Sequence, residues 1–162
     1  SALKGKKSIK KNKKKWITFV GKLNKAKGYD TFAKSIVKIL DKYNNWNAMI
    51  IGDEKREKIL LEHKNASILG FKKHEEVLKI FKKTSITVAC SRWDEPFGRT
   101  SLEASANGCA VIITNKGGLP ETVTDAKIIH TLNEKNLTKT IANLIDNKSL
   151  RTKLQNLSLI HI

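Results

Sequence analysis

Residues 16–52 read WITFVGKLNKAKGYDTFAKSIVKILDKYNNWNAMIIG. Trp16 to Val20 is a short, mostly apolar run that stops at Gly21, and a polar loop, Gly21 to Lys27, follows. From Tyr29 onward Phe32, Ile36, Val37 and Leu40 recur at helical spacing, which predicts a helix over Tyr29 to Leu40. Ala48 to Ile51 is a second apolar run, closed by Gly52. Two strands that read as near-continuous apolar runs, joined by a helix, form the unit of a parallel sheet. Such strands are buried on both faces and have no polar side to show.

The unit recurs outward from there. A helix is expected from about Glu54 to Glu62, a strand at Ser67 to Leu69, a helix at Glu75 to Lys82 and a strand at Ile86 to Ala89. A helix over about Gly98 to Asn107, a strand at Ala110 to Ile113, a short helix at Leu119 to Val123 and a strand at Lys127 to Ile129 come next. Two helices, Glu134 to Asp146 and Ser149 to Leu159, close the series. The expected fold is a doubly wound, Rossmann-like α/β domain over residues 16–162, with a parallel sheet of about six strands and helices on both faces.

With 162 residues, 40% of them hydrophobic, the chain can bury one ordinary core. Nine glycines and two prolines exclude a collagen-like or wholly disordered chain, and two cysteines exclude a disulfide scaffold. No apolar run approaches the roughly 18 residues that cross a bilayer, and the basic start has no apolar signal-peptide core. A soluble cytoplasmic domain is expected. The net charge of +17 is uneven, because Lys4, Lys6, Lys7, Lys10, Lys11, Lys13, Lys14 and Lys15 fall in the first 15 residues without one acid. Such a block repels itself and predicts a basic flexible arm or linker at 1–15. Its functional reading is a contact with nucleic acid, an anionic membrane or a phosphorylated partner; a solvated linker is the simpler one. No aromatic stripe or zinc-finger spacing adds to the charge, so nucleic acid is not expected as the partner.

In a doubly wound sheet the ligand lies beyond the carboxyl ends of the strands, which directs attention to four loops. The first, Gly21 to Gly28, brings Lys22 and Lys27 to the sheet edge, where two ammonium groups can neutralise a diphosphate; an exposed turn is the alternative. The second, Ser91 to Gly98, leads into a helix bearing Glu103, eight residues after Glu95. Two ionised carboxylates in one crevice accept bonds from the hydroxyls of a sugar or ribose, and Gly98 lets a phosphate approach the free amides of the helix start. Taken alone, the pair reads more simply as a dipole partner and a solvated helix residue. The third, Asn115 to Glu121, places Gly117 and Gly118 before a helix start. The fourth, Gly70 to Lys73, holds Phe71, which either packs or stacks on a base. His63, His74, His130 and His161 form no metal-binding pair, Cys90 and Cys109 read as buried free thiols, and no metal site is expected.

Together these segments resemble the C-terminal, donor-binding half of a retaining glycosyltransferase of the GT-B architecture, family 4. The resemblance rests on Phe19-Val20-Gly21-Lys22-Leu23 with Lys27-Gly28, on Ile50-Ile51-Gly52, on Leu69-Gly70-Phe71, on the stretch from Glu95 to Ala104, and on Gly117-Gly118-Leu119-Pro120-Glu121. It implies that Glu95 contacts the donor sugar and Glu103 the ribose, and that Phe97, Gly98 and Arg99 lie at the sugar and diphosphate. It further implies that Lys22 and Lys27 stabilise the leaving diphosphate. Lys22 stands where arginine is usual, which gives up a bidentate fork. No cofactor is implied: the donor, a UDP-, GDP- or ADP-linked sugar, is the substrate, and transfer proceeds without a metal. An N-terminal, acceptor-binding domain would be the missing partner, and the lysine-rich stretch would be the linker to it. The alternative from another class is a non-catalytic nucleotide- or nucleic-acid-binding α/β module.

Overall fold

A computed structural model describes residues 13–93, 99–116 and 125–160. Its strands are β1 (Trp16–Val20), β2 (Asn47–Ile51), β3 (Ala66–Gly70), β4 (Ile86–Ala89), β5 (Ala110–Thr114) and β6 (Lys127–Ile129). The helices are α1 (Tyr29–Lys42), α2 (His74–Lys83), α3 (Arg99–Ala106), α4 (Glu134–Asp146) and α5 (Lys148–Ile160). The strands form one sheet in the order β3-β2-β1-β4-β5-β6, and every pairing is parallel. This is the doubly wound arrangement, and its strand order reverses between β1 and β4.

Period-two alternation along the strands divides the core between the two faces of the sheet. Ile17 and Phe19 of β1, Ala48 and Ile50 of β2, and Ala110 and Ile112 of β5 pack with Phe32, Ile36 and Leu40 of α1 and Leu137, Ile141 and Leu144 of α4. Val111 and Ile113 of β5 point the other way, into a second cluster with Val77 and Phe81 of α2 and Ala104 of α3. On the first face the rings of Phe19, Tyr29 and Phe32 meet, with centroids 5.0 Å apart for Phe19–Phe32 and 5.2 Å for Phe19–Tyr29. None of the helices described is long and apolar enough to cross a membrane.

The helix expected from about Glu54 to Glu62 does not form. The chain there runs irregularly, and its apolar residues alternate: Ile59 packs against the core, Leu60 is 80% exposed and Leu61 is buried. Tertiary contacts override the helix propensity of this Glu- and Lys-rich stretch. Glu54 accepts hydrogen bonds from Asn24 Nδ2 (2.8 Å) and the Arg56 amide (3.0 Å), and Glu57 accepts from the Lys25 amide (2.9 Å). The two glutamates are thereby spent on holding the β1–α1 loop. The short helix expected at Leu119 to Val123 lies outside the described residues.

Of the lysine-rich stretch, only residues 13–15 are described, and they belong to the folded body. Lys13 Nζ donates to the Phe81 carbonyl (2.8 Å) and the Asn107 carbonyl (2.6 Å), at the C-terminal ends of α2 and α3. A cation there both satisfies open carbonyls and meets the negative ends of the helix dipoles. Burial pulls the Lys13 pKa below its usual value, with the neighbouring Cys109 opposing. The Lys14 amide donates to the Lys83 carbonyl (2.6 Å), and Ser85 Oγ donates to the Lys14 carbonyl.

Candidate active site

At the reversal point, the loops after β1 and β4 lie against each other, and glycine makes that approach possible. Gly28, immediately before α1, has φ +75°, and a Cβ there would sit 2.0 Å from the Cys90 carbonyl oxygen. Gly52, which follows β2, has φ +138°, and a Cβ there would sit 1.8 Å from the Gly21 carbonyl oxygen. The Gly21 amide donates to Ile51 O (3.0 Å) and the Gly52 amide to Gly70 O (2.9 Å). The carboxyl ends of β1, β2 and β3 are thus drawn together, with Gly21 at the turn where the resemblance places a donor contact.

The β1–α1 loop is organised from within by Asn24. Its Oδ1 accepts from the Lys27 amide (3.0 Å) and its carbonyl from the Tyr29 amide (3.0 Å), while Nδ2 reaches Glu54. Lys22 and Lys27 are carried on this constrained turn. Lys22 Nζ is 3.8 Å from Asp53 Oδ1, an exposed and salt-screened pair that leaves the ammonium available to a ligand. Lys22 also borders a hollow of about 650 Å³ between this loop, residues 53–57 and Trp93.

The β4 side is fastened by Arg92. Its guanidinium grips the Asp30 carboxylate bidentately (2.5 and 3.0 Å) and also donates to the Lys25 carbonyl and Thr31 Oγ1, while its amide donates to Ala26 O (2.9 Å). Burial would raise the Asp30 pKa, but the hydrogen-bonded guanidinium outweighs it and holds the carboxyl below its usual value. Cys90 and Cys109 are both free and buried, and burial pushes the Cys90 thiol up to about 12. They are packing residues, as expected.

Glu103 lies in the second half of α3, facing α2 across the other face of the sheet. Arg99 Nε is 3.1 Å from its Oε1, one helical turn away, and His74 Nδ1 is 3.6 Å from its Oε2. The carboxylate is thus oriented by two cationic or protonatable groups. Phe71, in the loop between β3 and α2, is 74% exposed and so offers an open ring face. Arg99 and Glu103 are therefore brought together, whereas Lys22, in the β1–α1 loop, and Glu103, on α3, stand in separate ion pairs. Glu95, Phe97, Gly98, Gly117 and Gly118 lie outside the described residues. Sequence reasoning passed over Asn24, Arg92 and His74. Arg92 is the second residue of the Ser91 to Gly98 loop already of interest, which was the one available signal.

Among the described residues no group of three His, Cys, Asp or Glu side chains is placed to hold a metal ion.

Comparison with known proteins agrees with this fold. The family model described as glycosyl transferases group 1 matches residues 3–158. Spore coat protein SA of Bacillus subtilis is 26% identical over 158 residues, covering 87% of this chain and 42% of that protein. Lipopolysaccharide core biosynthesis mannosyltransferase LpsB of Rhizobium meliloti is 30% identical over 121 residues, covering 68% and 34%. The chain therefore spans less than half the length of these relatives. Among solved structures, the C-terminal domain of a glycosyl transferase group 1 family protein (LpcC) from Francisella tularensis superposes with a TM-score of 0.77 at 24% identity, covering 96% of this chain and 88% of that one. Anabaena HepE in complex with UDP and glucose gives a TM-score of 0.76 at 16% identity, covering 98% and 46%. The Rossmann-like half of a GT-B architecture is the fold observed, and the chain belongs to the glycosyl transferases group 1 family.

Proposed function

We propose that this chain is the donor-binding half of a retaining hexosyltransferase that uses a nucleotide sugar. The observation that carries the reading is the constrained, two-lysine loop at the strand-order reversal of a group 1 glycosyltransferase fold. HepE is known with UDP and with UDP-glucose, and LpsB is named a mannosyltransferase, which supports a hexose on a nucleoside diphosphate.

In this mechanism Lys22 and Lys27 lie beside the diphosphate. As the glycosidic bond breaks, negative charge grows on the leaving phosphate, and ammonium groups fixed there stabilise it more than they stabilise the intact donor. The amides at the start of α3 add the positive end of a helix dipole. Glu103 accepts from the ribose hydroxyls, with Arg99 and His74 keeping its carboxylate in register, and Phe71 offers a face to the base. Glu95 positions the sugar through its hydroxyls. The lysines supply the charge that a metal would otherwise carry. An N-terminal domain completes the cleft and holds the acceptor, and residues 1–12 continue the linker towards it. An anionic membrane is the other contact open to that stretch, and sedimentation with phosphatidylserine vesicles separates the two.

The test is a thermal-shift and calorimetric panel of UDP, GDP, ADP and their sugars. One nucleotide class raises the melting temperature, since a ligand that binds only the folded state stabilises it. Lys22→Ala weakens its binding about tenfold, the loss of one charge-assisted contact. No stabilisation by any nucleotide, or salt-sensitive nucleic-acid binding in its place, refutes the reading. Retention is checked by the anomeric configuration of product made by the whole enzyme.

A further inference from the structure

Of the described residues assigned to the donor, only Lys22 borders the hollow beside the β1–α1 loop. It is lined by the β1–α1 loop, by residues 53–57 and by Trp93, and none of Phe71, Arg99 or Glu103 reaches it. Three properties describe what it can hold.

The first is the indole. Trp93 is 70% exposed, whereas Trp46 is 3% exposed, and a large aromatic surface left in water is a departure from the norm. Nor is this exposure slack in a loose loop. The Trp93 amide donates to Ser91 Oγ (3.2 Å), Ser91 Oγ lies 3.2 Å from the Ala26 carbonyl, and the next residue back, Arg92, is locked to Asp30, Thr31, Lys25 and Ala26. The ring is carried on a backbone pinned at two successive residues, and a platform presented this way loses little entropy on binding.

The second is the charge. In a chain of net charge +17, this hollow is lined by three basic residues (Lys22, Lys55, Arg56) and three acidic ones (Asp53, Glu54, Glu57). That balance does not select a polyanion. Glu54 and Glu57 are engaged with the loops themselves, so Asp53 with Lys55 and Arg56 supplies acceptor and donors side by side, which suits a ligand whose hydroxyls both donate and accept. The third is the size: about 650 Å³ is within the range of small-molecule sites and accommodates more than one pyranose ring.

We propose that Trp93 and this hollow form a saccharide subsite for the acceptor, with a pyranose ring stacked on the indole. The inference rests on the donor reading above in one respect. An acceptor hydroxyl must approach the carbon bonded to the leaving phosphate, and Lys22 borders both places. It adds that the acceptor is held in part by this half of the enzyme. Trp93 supplies the apolar face of the ring's C–H groups with a partner, and Asp53 and Arg56 are placed at the rim for its hydroxyls.

The experiment is a titration of this chain with methyl α-glucopyranoside, methyl α-mannopyranoside and N-acetylglucosamine, followed by tryptophan emission and by saturation-transfer NMR. UDP and UDP-glucose are titrated in parallel. The expected result is millimolar binding of at least one free saccharide, weakened about tenfold in Trp93→Ala and partly restored in Trp93→Phe, with UDP affinity unchanged. Loss of UDP-glucose affinity relative to UDP in Trp93→Ala, with no effect on free saccharides, would assign the indole to the donor sugar and overturn the proposal. Saccharide binding that is absent, or indifferent to Trp93, would overturn it too. If nucleotides bind while saccharides do not, this inference fails alone. If saccharides bind Trp93 while no nucleotide binds, the donor reading fails and the subsite stands as a lectin-like site.

Discussion

At the scale of single residues, Gly28 and Arg92 do the work of joining the β1 and β4 loops. Gly28→Ala forces both a positive φ and a collision with the Cys90 carbonyl, two backbone features that cannot yield cheaply. A loss of at least about 2 kcal/mol in denaturant unfolding is expected, larger than an ordinary glycine-to-alanine change in a loop. The Arg92–Asp30 pair makes a different demand. Since the folded Asp30 carboxyl titrates below its ordinary value of 3.8, its contribution is complete above that value and disappears as the pH falls through the lower folded one. The melting temperature of the native chain therefore drops more steeply than that of Asp30→Asn as the pH falls from about 5 to about 3. The guanidinium is 38% exposed, so the effect is limited to about 1 kcal/mol. Neither role was visible beforehand. Lys22, Lys27 and Glu103 could be singled out because their chemistry is written in their residue types, whereas Asn24, Arg92 and His74 act through partners that only folding brings near.

At the scale of elements, the sequence was most legible where burial is complete. Ile86–Ala89 and Glu134–Asp146 have the bounds that their patterns predict, because a central strand admits only apolar neighbours and a helix on the sheet must present a stripe. The misreading of residues 54–62 has the converse cause. Three consecutive apolar residues, Ile59 to Leu61, fit a helix and an extended run about equally, and the deciding contacts come from Asn24 and Lys25 some thirty residues away. The irregular course makes an uneven prediction. Leu61→Ala, at a buried position, destabilises by about 2–3 kcal/mol, while Leu60→Lys, one residue earlier, changes stability by less than about 0.5 kcal/mol. A helix there would have made the two leucines more alike, and paired urea titrations distinguish the cases.

At the scale of the whole molecule, the chain covers 42% of Spore coat protein SA and 34% of LpsB, and on the proposed reading it supplies one wall of an interdomain cleft. Excluding water from a breaking glycosidic bond takes both walls. The isolated chain is expected to bind its donor weakly and to transfer sugar poorly, and fusion to the acceptor-binding domain should raise turnover by orders of magnitude at a modest gain in affinity. Transfer assays on both forms check this, and brisk transfer by the chain alone would contradict it.

The burial of Lys13 bears on how the domain can be cut. A version trimmed at Trp16, which removes every lysine of the first cluster, would also remove the plug from beneath two helices and leave the Phe81 and Asn107 oxygens without their ammonium. One trimmed before Lys13 would shed most of that positive charge and keep the underside sealed.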